Sequence, residues 1–309
     1  MMVLYPMLLD FHSLNDHIYN TIKNGKPASI IRICNTMGYL LQCFHKKEKP
    51  VDEFFGPNYF IQAGIHPFDQ LWYERVLAPT IEWAMYESDI LGFVDGSGDI
   101  EKEAFYAVYG NHKNFYCGDK FLILDPGALF GYTKYGEIEG KKWTEALKDK
   151  KVLVISTHVE SIKQQWKNID NIWGDNREMI APFELVDVIR TPYHPILDDR
   201  QFPGCNNWLE NISHIKELID TYDYDVLFAG STASAPIFCH YAKEKGKIGI
   251  QPGGSMQLFF GLLGYRWTQV EGYKRWHEMF NEHWIYPLKI DEAQKREQMK
   301  HLEINFAYW

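Results

Sequence analysis

The densest group of residues able to bind a ligand lies in the run Gly246 to Trp267. A β-like stretch, Ile248 to Ile250, leads into Pro252-Gly253-Gly254, and Ser255 stands where an N-cap would precede an apolar helix over Met256 to Leu263. Glycines let a backbone approach a ligand closely, and the N–H groups of a first helical turn attract anions. The spacing predicts either a phosphate-binding turn or a plain strand-to-helix turn.

Two further turns of small polar residues follow short apolar strands that begin at Asp225 and Lys151. Their residues are Gly230, Ser231 and Thr232 in one turn and Ser156, Thr157 and His158 in the other. In a parallel sheet such turns gather at the carboxyl ends of the strands, where open α/β folds bind their ligands. Each turn therefore has two interpretations, which are contact with a ligand and ordinary helix capping.

Charged side chains near the ends of predicted strands supply the candidate catalytic groups. Arg32 lies in an apolar strand, where an arginine is costly unless it binds an anion or forms a structural ion pair. Asp95 follows the strand Ile90 to Val94 in a Gly-rich loop, so it is either a general base or a turn-forming residue, with Asp99 and Glu101 as reserves.

The remaining candidates lie in or near the second half of the chain. Gln257 offers a hydrogen-bonding amide in the first turn of the predicted helix, and Arg266 offers a cation that either binds a ligand or forms a surface salt bridge. His158 is either a base or a structural histidine. The loop residues His194, Asp198 and Asp199 match no compact metal-ligand spacing and are interpreted as a solvated loop.

Composition narrows the class of protein. Of the 309 residues, 46% are hydrophobic and 24% are charged, which is the usual composition of a globular domain. The net charge of −9 argues against nucleic acid as a partner. No apolar stretch reaches the roughly 18 residues that cross a bilayer, and the start lacks the features of a signal peptide. These observations predict a cytoplasmic protein without a transmembrane segment. Five widely spaced cysteines predict free thiols.

The elements that position these residues form one predicted domain, 1–309. Its parts are a lead-in helix (1–26), a first half (27–150), a Rossmann-like half (151–270) and a helical C-terminal tail (271–309). In the second half, predicted strands over 151–155, 185–190, 225–229 and 247–251 alternate with predicted helices over 159–168, 207–221, 234–244 and 255–263. This alternation predicts an α/β, Rossmann-like fold with a mostly parallel sheet flanked by helices.

Five stretches of the chain follow patterns known from one family: KDKKVLVISTHVESIKQQW (148–166), YDYDVLFAGSTASAPIFCHYAKEKGK (222–247), QPGGSMQLFFGLLGYRW (251–267), NEHWIYP (281–287) and ASIIRICNTMG (28–38). They resemble a family of glycosyltransferases linked to surface-polysaccharide biosynthesis and related to the GT-D fold class. The resemblance covers most of the chain and is weakest between about 45 and 120. Its most specific motif is GG-x-x-QL-x-FG-x-x-G-x-RW.

The resemblance implies transfer of a sugar from a nucleotide-diphosphate donor, of UDP or GDP type, to a glycan or glycolipid acceptor. With such a donor, the turns after the strands would bind the diphosphate, and Gln257 would hydrogen-bond the ribose or the base. Arg266 would bind the diphosphate, stack on the base or form a surface salt bridge. The resemblance also implies a divalent metal, Mg²⁺ or Mn²⁺, held by two carboxylates of an Arg-x-Gly-Asp-x-Glu-like motif after the first strand. In this chain Arg32 is kept, but Cys34, Asn35 and Met37 replace the glycine and both carboxylates.

This departure leaves three alternatives for the leaving group. Cationic side chains and helix dipoles stabilise it without metal, or Asp95 or Asp99 completes a metal site, or the protein has lost catalysis and binds nucleotide sugars or glycans only. An oxidoreductase of the dinucleotide-binding class is a further alternative. Against it, no Gly-x-Gly-x-x-Gly with an acidic residue about 20 positions later follows any predicted strand.

Overall fold

The computed structural model describes residues 11–33, 41, 44–45, 73–93, 115–116, 132–133, 136–137, 141–191, 202–231, 233–269, 277 and 279–287. Within these residues the fold is α/β and Rossmann-like, as the sequence predicted. Among the described residues, Cys205 and Cys239 are free thiols. None of the described helices is long and apolar enough to cross a bilayer.

One parallel sheet forms the centre of the described structure. Its strands are β1 (Ala28–Ile33), β2 (Ile90–Phe93), the two-residue β3 (Phe115–Tyr116), β6 (Lys151–Ser156), β7 (Glu184–Arg190), β8 (Val226–Ala229) and β9 (Ile248–Ile250). A separate antiparallel pair joins β4 (Tyr132–Thr133) and β5 (Gly136–Glu137). The order across the parallel sheet is β3-β2-β1-β9-β8-β6-β7. Because helices cover both faces of this sheet, most of its strands are nearly continuous apolar runs bounded by turn residues.

Helices cover the two faces of the sheet. They are α1 (Phe11–Lys23), α2 (Ala78–Tyr86), α3 (Val159–Trp166), α4 (Ile169–Trp173), α5 (Trp208–Ile219), α6 (Ala235–Glu244), α7 (Met256–Phe259) and α8 (Tyr265–Gln269). A π-helical turn, Tyr73–Leu77, precedes α2, and 3-10 turns span Trp143–Leu147, Gly174–Met179 and Gly253–Ser255. Strands and helices alternate, as expected for a parallel sheet.

Alternate strand residues face two separate hydrophobic cores. On β6, Val152 and Val154 belong to the core that contains α1, α3, α4 and α7, whereas Leu153 and Ile155 belong to the core that contains α2, α5 and α6. Because successive side chains of a strand point to opposite faces, this division places α3 and α6 on opposite sides of the sheet.

The strand order contains a switch point between β6 and β8. The chain leaves β6 through α3 and α4 towards β7 at one edge, and leaves β8 through α6 towards β9 on the other side. The crevice at the carboxyl ends of β6 and β8 therefore opens between two connections that diverge. Ligands of open α/β folds bind in such crevices.

The predicted helix over 255–263 is shorter than expected. A 3-10 turn precedes it, α7 ends at Phe259, and Ser255 has helical backbone angles without a side-chain capping bond. Gly261 adopts φ +63°, its carbonyl accepts a hydrogen bond from Gln165 at 3.2 Å, and Leu262 forms a bridge with Ile285. Tertiary contacts therefore turn the chain where local apolar spacing predicts a continuous helix. Most of the predicted helical tail, 271–309, lies outside the described residues, which include only 277 and 279–287 of it.

Candidate functional site

Five neighbouring strands, β1, β9, β8, β6 and β7, end close to one another at the carboxyl edge of the sheet. The register aligns Ile30, Ile250, Phe228, Val154 and Val188, all of which face the first core. Near the strand ends, two residues further along, lie Arg32 on β1, Gly230 just after β8, Ser156 on β6 and Arg190 on β7, with Pro252 in the turn after β9. We call these five residues the strand-end row. Since side chains repeat every second residue along a strand, Arg32, Ser156 and Arg190 continue the face of the sheet on which α3 and α7 lie.

The turn after β6 is held by its own hydrogen bonds. Ser156 Oγ accepts a hydrogen bond from the backbone N–H of His158 at 3.1 Å, and the Ser156 carbonyl accepts one from the Thr191 N–H at 3.1 Å. Ser156, Thr157 and His158 are all buried. The Ser156 hydroxyl therefore shapes the turn, and a ligand would approach the turn from its outer side.

The turn after β8 begins with a glycine in a crowded position. The Gly230 N–H donates to the Ile155 carbonyl at 2.9 Å, and a Cβ added to Gly230 would overlap Met256 Cε and lie 2.8 Å from that carbonyl oxygen. Ser231 Oγ is buried and has no hydrogen-bond partner. A buried hydroxyl without a partner is costly, so Ser231 is a natural contact for a polar ligand. Thr232 lies outside the described residues.

The side-chain amide of Gln257 is buried and connects the segment after the β9 turn to His158 of the β6 turn. Gln257 is 4% exposed; its Nε2 lies 3.3 Å from His158 Nε2, and its Oε1 accepts a hydrogen bond from Trp267 Nε1 at 2.9 Å. Gln257 was expected to contact a ribose or a base, but its amide is used inside the protein. Gly253 and Gly254 are partly exposed, Ser255 is buried, and the four-residue α7 that follows contributes only a small dipole.

Replacing Gln257 by leucine is expected to destabilise the protein by about 2–4 kcal/mol. The change keeps the side chain's size but removes the acceptor of Trp267 Nε1 and the partner of His158 in a buried place. Urea denaturation measures this loss. Gln164→Leu, at an exposed position of α3, is the control and should stay within about 0.5 kcal/mol of the parent. An equally small effect of Gln257→Leu would show that the amide link contributes little.

Arg32 is the last residue but one of β1 and lies beside the turn after β9. Its backbone N–H donates to Gln251 Oε1 at 3.1 Å, and the Gln251 N–H donates to the Ile30 carbonyl at 2.9 Å, which fixes the two strand ends together. The residue is partly exposed. The arginine predicted to bind an anion therefore lies near the carboxyl edge, on a strand with a neighbour on each side.

Arg190 is a member of the strand-end row that the sequence analysis did not select. It ends β7 directly opposite Ser156, and its Nη2 lies 3.6 Å from Glu160 Oε1 in the first turn of α3. The signal was the same as for Arg32, a cation at the carboxyl end of a predicted apolar strand. Without the strand order, however, nothing in the sequence connects β7 with the β6 turn.

Several residues selected from the sequence lie outside the described residues, namely Asp95, Asp99, Asn35, Met37 and Thr232. The backbone of Arg266 lies in α8, but its side chain is also outside them. The loop residues His194, Asp198 and Asp199 are outside as well. In the part of the chain that the structure describes, no group of three His, Cys, Asp or Glu side chains is arranged to hold a metal ion.

The fold and the edge just described define an α/β, Rossmann-like protein with a polar, arginine-flanked switch point. Compared with protein-family models, with curated proteins and with solved structures, the chain matches none of them.

Proposed function

We propose that this chain is a glycosyltransferase that moves a sugar from a nucleotide-diphosphate donor of UDP or GDP type to a glycan or glycolipid acceptor. One observation carries the proposal. The small-polar turns after β6, β8 and β9 lie side by side at one carboxyl edge, at a switch point, with Arg32 at one end of the strand-end row. The sequence resemblance to surface-polysaccharide glycosyltransferases agrees with this arrangement.

The proposed chemistry requires an anion site at this edge. The acceptor's hydroxyl oxygen bonds to the anomeric carbon, the bond between that carbon and the diphosphate breaks, and the electron pair leaves with the diphosphate. Arg32 offers positive charge where negative charge grows on the leaving group. A carboxylate must take the hydroxyl proton, and Asp95, with Asp99 in reserve, is our candidate from the sequence.

A metal bound by the motif after β1 does not fit this sequence well. Oxygen ligands suit Mg²⁺ and Mn²⁺, but Met37 offers a thioether and Asn35 one neutral amide oxygen. The described residues bring arginines, amides and hydroxyl groups to the edge, with Glu160 as an exposed carboxylate nearby. We therefore derive no step through a metal and propose that cationic side chains stabilise the leaving group.

A thermal-shift panel tests the proposed function. The protein is heated with UDP-, GDP-, CMP- and dTDP-sugars and with NAD(P)H, each with and without Mn²⁺. A ligand present at 100 times its Kd should stabilise the fold by about 2.7 kcal/mol, which corresponds to a rise in Tm of several degrees. We expect a sugar nucleotide to give this rise, and then to be hydrolysed or transferred in a turnover assay.

The outcomes separate the competing classes. A rise in Tm that is equal with and without Mn²⁺, followed by turnover, supports sugar transfer without a metal. A shift without hydrolysis or transfer, also with a panel of glycan acceptors, would identify a sugar-nucleotide-binding protein that has lost catalysis. A response to NAD(P)H alone would contradict the proposal in favour of a dinucleotide-binding oxidoreductase.

A further inference from the structure

The guanidinium of Arg190 is only partly satisfied by the protein. Its Nη1 is buried without a hydrogen-bond partner, and its Nη2 is 3.6 Å from Glu160 Oε1, beyond hydrogen-bond distance. The side chain keeps 25% of its surface exposed, so solvent or a ligand reaches it. An arginine presents five N–H donors in a planar fork that matches phosphate and carboxylate oxygens. Arg190 therefore has donors available at the strand-end row.

Glu160 occupies the place that an anionic ligand would favour. It lies in the first turn of the eight-residue α3, where the helix dipole attracts negative charge, and its carboxylate faces Arg190. Its side chain is 61% exposed, so the ion pair is weak and the carboxylate can turn away at little cost. The carboxylate thus acts as a replaceable anion next to the β6 turn.

A second unsatisfied polar atom lies on the other side of β6. Ser231 Oγ, at the end of β8, is buried without a hydrogen-bond partner. β7 and β8 are the two neighbours of β6 in the sheet, so Arg190 and Ser231 flank the turn Ser156 to His158. Two strand spacings of about 4.8 Å separate their strands by about 10 Å. A ligand that contacts both residues must therefore reach across two strands, which suits an anion with more than one group of oxygens.

We propose that Arg190 binds a phosphate of a diphosphate-containing ligand at the outer side of the β6 turn, with Ser231 as a second contact. Glu160 is the counter-ion that this phosphate displaces from Arg190. The inference rests on the proposed function in that it assigns the ligand to the same edge. It adds a second cation about 19 Å from Arg32, four strand spacings of about 4.8 Å along the row.

Isothermal titration tests this assignment with inorganic phosphate, inorganic pyrophosphate, UDP and GDP as probes. The wild-type protein is expected to bind pyrophosphate and one of the nucleotides more tightly than phosphate. Arg190→Gln should weaken that binding about tenfold or more, because it removes a charge-assisted contact. Glu160→Gln should strengthen it about two- to fivefold, since the competing carboxylate is lost.

Lys163→Gln is the matched control. Lys163 also joins α3 to β7, through its ion pair with Asp187 at 2.5 Å, but it lies one turn away from the strand-end row. Its replacement should leave every affinity within about twofold, as expected for an exposed ion pair. Arg190→Lys keeps the charge but loses the planar fork, so binding should fall several-fold even if Arg190→Gln fails to fold.

Failure of the inference and failure of the proposed function give different results. If wild type binds UDP or GDP and both Arg190 variants bind them equally well, the inference alone is wrong. Weaker binding by Glu160→Gln would also overturn it, because a counter-ion must compete. The protein could also bind pyrophosphate in a manner that depends on Arg190 but bind neither UDP, GDP nor any sugar nucleotide. That result would support the anion site and contradict the glycosyltransferase function. If the wild-type protein binds none of the probes, both the inference and the proposed function are wrong.

Discussion

Replacing Gly249 by alanine is expected to destabilise the fold by about 3 kcal/mol or more. The reason is that α6 packs directly against β9 at this glycine. A Cβ at this position would overlap the Cα and carbonyl oxygen of Cys239 and lie 2.7 Å from its carbonyl carbon. These atoms are helix backbone, so no side-chain rotation relieves the overlap. The whole of α6 would have to move away from a close-packed core.

Chemical denaturation compares this variant with the parent protein. Lys26→Ala, at an exposed position just before β1, is the control and should change the free energy of unfolding by less than about 0.5 kcal/mol. A loss below about 1 kcal/mol for Gly249→Ala would show that α6 is less closely packed against β9 than the structure indicates.

Replacing Arg32 by glutamine is expected to reduce sugar transfer about 100-fold, if the proposed function holds. The reason is that a positive charge next to the leaving diphosphate contributes mainly when negative charge grows there. The reduction should appear in kcat more than in KM, because the interaction strengthens in the transition state. The assay is initial-rate turnover of the sugar nucleotide that stabilises the wild-type protein.

Two comparisons make the Arg32 result specific. Lys26→Gln removes a positive charge at the amino end of the same strand, away from the carboxyl edge, and should leave kcat unchanged. Arg32→Lys keeps the charge and should recover part of the rate. Unchanged turnover in Arg32→Gln, with Tm close to that of the parent, would remove Arg32 from the proposed mechanism.

The sequence predicted the strands of the second half to within one or two residues. Runs such as Lys151 to Ile155 and Asp225 to Ala229 are almost wholly apolar, and Gly, Ser and Asp bound them. Strands buried on both faces have this appearance, and the turn residues mark where each one ends. The predicted helix 255–263 was wrong in length because the turn at Gly261 depends on Gln165 and Ile285, which lie far away in the chain.

The candidate site was predicted only in part. The three turns and Arg32 lie at one carboxyl edge, as strand-and-turn patterns indicated. Gln257, which the sequence analysis selected as a ligand contact, is buried, and its amide bonds to His158 and Trp267. Arg190 was missed because its importance depends on β7 pairing with β6, which no local pattern of β7 encodes.

The sequence by itself determined the apolar strands, the small-polar turns that follow them and therefore the α/β class of the fold. These features are local, since apolar runs and turn residues restrict the backbone wherever they occur. Only the tertiary structure decided the strand order and the register. Both depend on packing between distant segments, and they place Arg32, Gly230, Ser156 and Arg190 level with one another at a single switch point.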